Sequence, residues 1–141
     1  MNLFVDTWAF LGLLDKKDQD HEIARKAVTR AVADSVELVT TDYVLAETIT
    51  LLSRRLPGQI AKTMPQLFRF HKEACIFTQR ISSSRFSDAA QLRILYADKP
   101  SISFVDLTSM VVMKDMHIEG IITRDRDFLA VNMGFELFPS F

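Results

Sequence analysis

The chain has 141 residues, 48% of them apolar and 25% charged, with a net charge of −1 at neutral pH. That is enough to bury one core, while four glycines and four prolines leave little for a linker or a disordered tail. The near-neutral balance excludes indiscriminate adhesion to nucleic acid or anionic membranes, and the single cysteine, Cys75, excludes an intrachain disulfide framework and suits a reducing cytoplasm.

The opening "MNLFVDTWAFLGLL" is apolar, but no basic residues precede the apolar run and Asp6 interrupts it, unlike a secretory signal. No other segment approaches the roughly 18 uncharged apolar residues of a membrane span. A cytoplasmic protein without a membrane partner is expected. "NLFV" at 2–5 predicts a buried strand, 7–14 a short helix, and 20–33 an amphipathic helix. "VELVT" at 36–40 is a second strand, followed by a helix from Asp42 to Arg55 that Pro57-Gly58 stops. A helix over 59–72 leads to a third strand at 75–79, where Cys75 is expected to be a small buried hydrophobe. Helices are predicted over 84–97 and 103–117, a fourth strand at "GIIT" (120–123), a short helix over 126–131, and "FELF" at 135–138. Strands alternating with helices imply an α/β fold. The expectation is a single domain over 1–141, an open parallel sheet of four or five strands with helices on both faces.

Ligands in such sheets bind outside the carboxyl ends of the strands. Asp6 ends the first strand, Glu47 lies in the opening turns of the helix after the second, and Asp125 and Asp127 follow the fourth. Asp106 opens the 103–117 helix, whose start could face the same edge. Each acid has a structural explanation: a capping box from Ser103 for Asp106, a cap for Asp125, a solvated helix face for Glu47. Asp6 resists this, because a carboxylate directly behind the apolar run Leu3-Phe4-Val5 is costly to bury unpaired. Together, carboxylates at one edge repel one another, and a bound cation removes that cost. Oxygen ligands without Cys or His at ligand spacing suit a hard ion, Mg²⁺ or Mn²⁺. His21, His71 and His117 stand apart and are expected to be structural or surface residues. Such a site, without a glycine-rich phosphate loop, suits phosphodiester hydrolysis by metal-activated water.

"FVDTWAF" at 4–10, "AE" at 46–47, "SFVDLTSMVVM" at 103–113 and "GIITRDRDF" at 120–128, in this order and at these spacings, resemble the PIN domain, most of all toxin ribonucleases of the VapC type. The resemblance covers essentially the whole chain. It implies that Asp6, Glu47, Asp106 and Asp125 form an acidic quartet holding Mg²⁺ or Mn²⁺ around a phosphodiester. It places Thr7 beside the site as a hydroxyl that supports a phosphate, a metal-bound water or the helix start, sets Asp127 just outside the quartet, and has Ser103 and Thr123 brace the acids. Arg124 and Arg126 would project beside the site, where they could meet RNA phosphates. The implied partners are structured RNA such as tRNA or rRNA and a small antitoxin protein.

Setting aside the five acids leaves 13 acidic against 17 basic residues, a modestly basic remainder able to hold a polyanion. Arg54, Arg55, Arg69, Arg80, Arg85 and Arg93 are candidates for that surface, and Trp8, near the edge, reads as core. Large apolar residues crowd 42–56 and 59–71, more than one sheet face absorbs, so a homodimer is expected. The alternative from another class is a PIN-fold module that binds RNA or protein without cutting, which the intact quartet disfavours. An aspartyl-phosphate phosphotransferase would need an acid two residues after Asp6, where the chain has Trp8.

Overall fold

A computed structural model describes residues 1–139. Five strands, β1 (Asn2–Val5), β2 (Glu37–Thr41), β3 (Phe77–Gln79), β4 (Gly120–Ile122) and β5 (Glu136–Phe138), pair in the order β3-β2-β1-β4-β5, every pairing parallel. The helices are α1 (Thr7–Leu14), α2 (His21–Ala33), α3 (Asp42–Arg55), α4 (Ile60–Glu73), α5 (Ser83–Leu95), α6 (Phe104–Asp115) and α7 (Asp127–Ala130), with a 3-10 turn at Pro57–Gln59. The chain moves outward from β1 to β3, then returns to β4 and moves out the other way to β5. Right-handed crossovers therefore set the helices of the two halves on opposite faces. The expected α/β architecture is met.

The central strands carry apolar residues on both faces because helices cover them on both sides; Phe4, Val5, Leu38, Ile121 and Ile122 are fully or almost fully buried. α6 is buried along eight consecutive residues, Asp106 to Met113, so it is a core helix that brings one acid with it. A side chain at Gly120 would collide with Leu3 and the Phe138 ring, so this glycine sets how closely β4 lies between its neighbours. Gly12 does the same for helices: a Cβ there would stand 2.7 Å from that of Ala24, which lets α1 and α2 cross closely.

The predicted third strand begins two residues late. Cys75 takes φ 51° and closes the end of α4, with its N–H donating to the Lys72 carbonyl and that of Ile76 to the His71 carbonyl. Cys75 is exposed in this turn, not a buried strand residue as the apolar context suggested. The surplus of apolar residues on α3 and α4 is also smaller than their number implies. Leu52 and Leu67 are wholly buried, Leu45, Ile49 and Phe70 pack against the core, and Phe68 is left 57% exposed.

Candidate metal centre at the carboxyl edge

The strand order reverses direction between β1 and β4, the place where open α/β sheets form a crevice. Val5 pairs with Ile122 in register, so the next residues, Asp6 and Thr123, emerge side by side. The Thr123 hydroxyl donates to Asp6 Oδ2 at 2.8 Å. Asp6 occupies the N-cap position of α1 without the usual side-chain capping bond. Burial pushes its pKa up to about 6 against the opposing hydrogen bonds of the Thr123 hydroxyl and the Thr7 N–H, and repulsion from Asp125 and Glu47 adds to the rise.

Asp106 satisfies both readings made from its sequence. Its N–H donates to Ser103 Oγ at 3.1 Å and its Oδ2 accepts from the Ser103 N–H at 3.3 Å, a complete capping box. The same carboxylate is buried, and burial, then the charges of Asp6 and Asp125, push its pKa up to about 7. Asp125 also lies above the usual carboxylate range, through burial first and the charge of Asp127 second, against a bond from the Asp127 N–H. Thr123 braces this residue too, accepting from the Asp125 N–H at 3.2 Å.

Asp106, Asp125 and Asp127 each offer an oxygen, and these atoms lie within 4.8 Å of one another. Asp127 thus stands in the tight group rather than merely around it. Its N–H donates to Asp125 Oδ1 at 2.9 Å and its Oδ1 accepts from Ser101 Oγ at 3.3 Å. Asp6 joins the trio through its charge, and Glu47, half-buried on α3, joins through Asp6. Beside Asp6, the buried Thr7 hydroxyl has no hydrogen-bond partner, a cost that the other buried side chains among the described residues avoid. An all-oxygen donor set, carboxylates held above their ordinary pKa by burial and one another, and an orphaned hydroxyl fit a hard divalent cation.

The arginines divide. Arg124 Nη1 donates to Asp20 Oδ1 at 2.6 Å, whereas Arg126, at the start of α7, is exposed. Several arginines assigned to a basic surface have protein partners. Arg55 pairs with Asp18, Arg85 with Asp115, and Arg93 donates to the carbonyls of Tyr96, Lys99 and Ile102. Trp8 is partly buried against the core, its indole N–H donating to Asp20. An aromatic pair escaped the sequence reading: Phe86, 46% exposed, meets Phe104 edge to face at 5.0 Å, in the helix start that carries Asp106. His21 and His71 hydrogen-bond to the Gly12 carbonyl and the Thr78 hydroxyl, and His117 is exposed in the turn after α6.

The profile of the PIN domain matches residues 3–133. The chain belongs to the PIN-domain family. It is similar to the 23S rRNA-specific endonuclease VapC20 of Mycobacterium tuberculosis, in strains H37Rv and CDC 1551, with 30% identity over 130 residues that span 91% of this chain and 92% of the relative. The crystal structure of VapC20, described as a sarcin-ricin loop cleaving toxin, superposes with a TM-score of 0.78 at 27% identity, covering 96% of this chain and 97% of that one. The likeness of this PIN domain to VapC-type ribonucleases, drawn from its motifs, is borne out.

Proposed function

We propose that this protein is a metal-dependent endoribonuclease, the toxin of a toxin–antitoxin pair, cutting structured RNA in the cytoplasm. The observation that carries this reading is the close approach of Asp106, Asp125 and Asp127 beside a buried Asp6. Asp6, Glu47, Asp106, Asp125 and Asp127 would hold Mg²⁺ or Mn²⁺. Such an ion, when bound, polarises a phosphate and lowers the pKa of an attacking water. The chain's own share is positional. Thr123 orients Asp6 and the Asp125 backbone together, Ser103 orients Asp106, and Ser101 orients Asp127. The Thr7 hydroxyl is available to a phosphate oxygen or a bound water. Arg126 is placed to meet backbone phosphates, and the exposed Phe86 edge offers an unpaired base a stacking surface.

Because its relative acts on 23S rRNA, ribosomal RNA is the first substrate to test, with tRNA the second. Brief induction in cells followed by sequencing of RNA 5′ ends tests the reading. Cleavage by metal-activated water leaves 5′-phosphate and 3′-hydroxyl ends and stops in EDTA; cyclic phosphates, or full activity in EDTA, would refute it. A short upstream reading frame encoding a small antitoxin is expected beside the gene. A homodimer is proposed as well, with Phe68 on α4 the principal exposed apolar residue of that region. A monomeric mass by light scattering at micromolar concentration counts against it. Among the described residues, no helix is long and apolar enough to cross a membrane.

A further inference from the structure

Asp20 is nine-tenths buried and stands at the N-cap of α2, where an aspartate ordinarily accepts from its own helix. It makes no such bond. Its Oδ2 accepts from Trp8 Nε1 on α1 at 3.1 Å, and its Oδ1 accepts from Arg124 at 2.6 Å, across the molecule in the loop after β4. Its own N–H donates to Asp18 Oδ1 at 2.7 Å, and Asp18 Oδ2 in turn receives Arg55 at 3.0 Å. The α1–α2 junction is thereby a fixed block, tightened by the Gly12–Ala24 approach and by the His21 ring on the Gly12 carbonyl.

The loop that Arg124 belongs to carries two of the three clustered acids. On the inner side Thr123 ties it to Asp6; one residue on, Arg124 ties it outward to Asp20; then Asp125 and Asp127 follow, joined by their own bond. We propose that Asp20 and Arg124 are positioning residues, a clamp that fixes the 123–127 loop so that Asp125 and Asp127 meet Asp106 within ligand distance. The inference rests on the metal-dependent reading above. It also explains why two arginines alternate with the acids: the first, Arg124, is a strut and the second, Arg126, faces solvent. Groups that orient metal ligands from outside the coordination sphere commonly change affinity or activity about 10- to 100-fold when removed.

The test compares wild type with Asp20→Asn, Arg124→Gln, Arg124→Lys and the Asp20→Asn/Arg124→Gln double variant. Three quantities are measured: Mn²⁺ affinity from the spin-resonance signal of free Mn²⁺, kcat and KM on RNA at saturating metal, and amide hydrogen exchange of residues 123–127 in EDTA. The clamp predicts that Asp20→Asn and Arg124→Gln each weaken Mn²⁺ binding about tenfold, lower kcat with little change in KM, and speed exchange in the loop. The double variant should be no worse than the worse single one, since the Asp20–Arg124 contact is already lost in each single variant. Arg124→Lys, which keeps a charge for Asp20, should recover part of the loss. If Arg124→Gln instead raises KM at unchanged Mn²⁺ affinity, while Asp20→Asn is silent or binds RNA more tightly, Arg124 is an RNA contact and the clamp is wrong. Wild-type exchange and Mn²⁺ affinity in both single variants also overturn it. Should Asp20→Asn not fold, the two substitutions of half-exposed Arg124 decide alone. A wild type that binds no Mn²⁺ refutes the metal reading, and the exchange measurement then still decides whether the loop is clamped.

Discussion

The interior of the sheet and its carboxyl edge treat buried polar groups in opposite ways. In the interior, the Thr40 hydroxyl donates to the Val5 carbonyl at 2.9 Å, Thr48 to the Val44 carbonyl and Thr108 to the Val105 carbonyl, so each buried hydroxyl is paired within the fold. At the edge, a few residues away, Thr7 is orphaned and three carboxylates are held above their ordinary pKa by burial and by neighbouring carboxylates. A chain selected for stability alone would not leave these groups so close and unmatched. The edge fits a charge that the chain does not itself supply, and the interior is what holds it in that unfavourable state.

The comparison breaks most visibly if the edge acids prove dispensable. Asp106→Asn and Asp125→Asn should each cut RNA cleavage at least about a hundredfold, since ligands matter no less than the groups that orient them. Single-turnover cleavage with the metal at saturation would measure it, and activity within a few-fold of wild type would remove these residues from the site. Asp106→Asn keeps an oxygen for the Ser103 N–H, so the loss should come without unfolding.

Next in size is the response to metal. A ligand that binds only the native state adds about 2.7 kcal/mol at a hundredfold excess over its Kd. Wild type should gain Tm on adding Mg²⁺ or Mn²⁺, and Asp6→Asn should gain much less. Without metal, Asp6→Asn should be as stable as wild type or more so, because the amide oxygen still accepts from Thr123 while a costly buried charge is gone. Four melting curves decide. Clear metal-free destabilisation with an unchanged metal response would make Asp6 a structural residue.

The same charges give a pH dependence. Asp6 and Asp106 titrate at about 6 and about 7 in the folded chain, against a model-peptide value of 3.8, so the native state binds protons more tightly than the unfolded one. Their contribution to metal-free stability is then full at pH values below 3.8 and is lost as pH rises through about 6 and about 7. Metal competes with those protons, so the gain in Tm on adding Mn²⁺ should grow between about pH 5 and about pH 8. Melts in EDTA that strengthen across that range would contradict the origin assigned to the shifts.

The smallest effect sharpens the contrast itself. Thr40→Val removes a paired hydroxyl and should cost about 1 kcal/mol, lowering Tm by roughly 2–4 °C and leaving Mn²⁺ affinity alone. Thr7→Val removes an unpaired one, so metal-free Tm should hold or rise while cleavage falls. Equal destabilisation by the two substitutions would show that Thr7 has a partner in the fold after all.

Much of this protein was legible in its sequence because its signals are local. Uninterrupted apolar runs such as 3–5 and 120–122 mark buried parallel strands, and Ser103 with Asp106 marks a helix start, each within a few residues. The acids at strand ends could be read for the same reason: position relative to a strand decides which edge a residue reaches. Side-chain pairing between distant segments has no such signal. Asp20 is one acid among several in "DKKDQD", and nothing nearby says that it meets Trp8 and Arg124 and not the solvent. Cys75 looked like a strand residue until the end of α4 required a positive φ there. Asp127 entered the acid trio only through the path of a loop that Asp6 and Asp20 pull from two sides. Sequence by itself determined which residues are apolar, which acids end strands and where helices start, since these depend on neighbours along the chain. Only the tertiary structure decided which acids share a site and which arginines are free to meet a ligand, because contacts across 104 or 117 residues depend on how closely helices and strands pack.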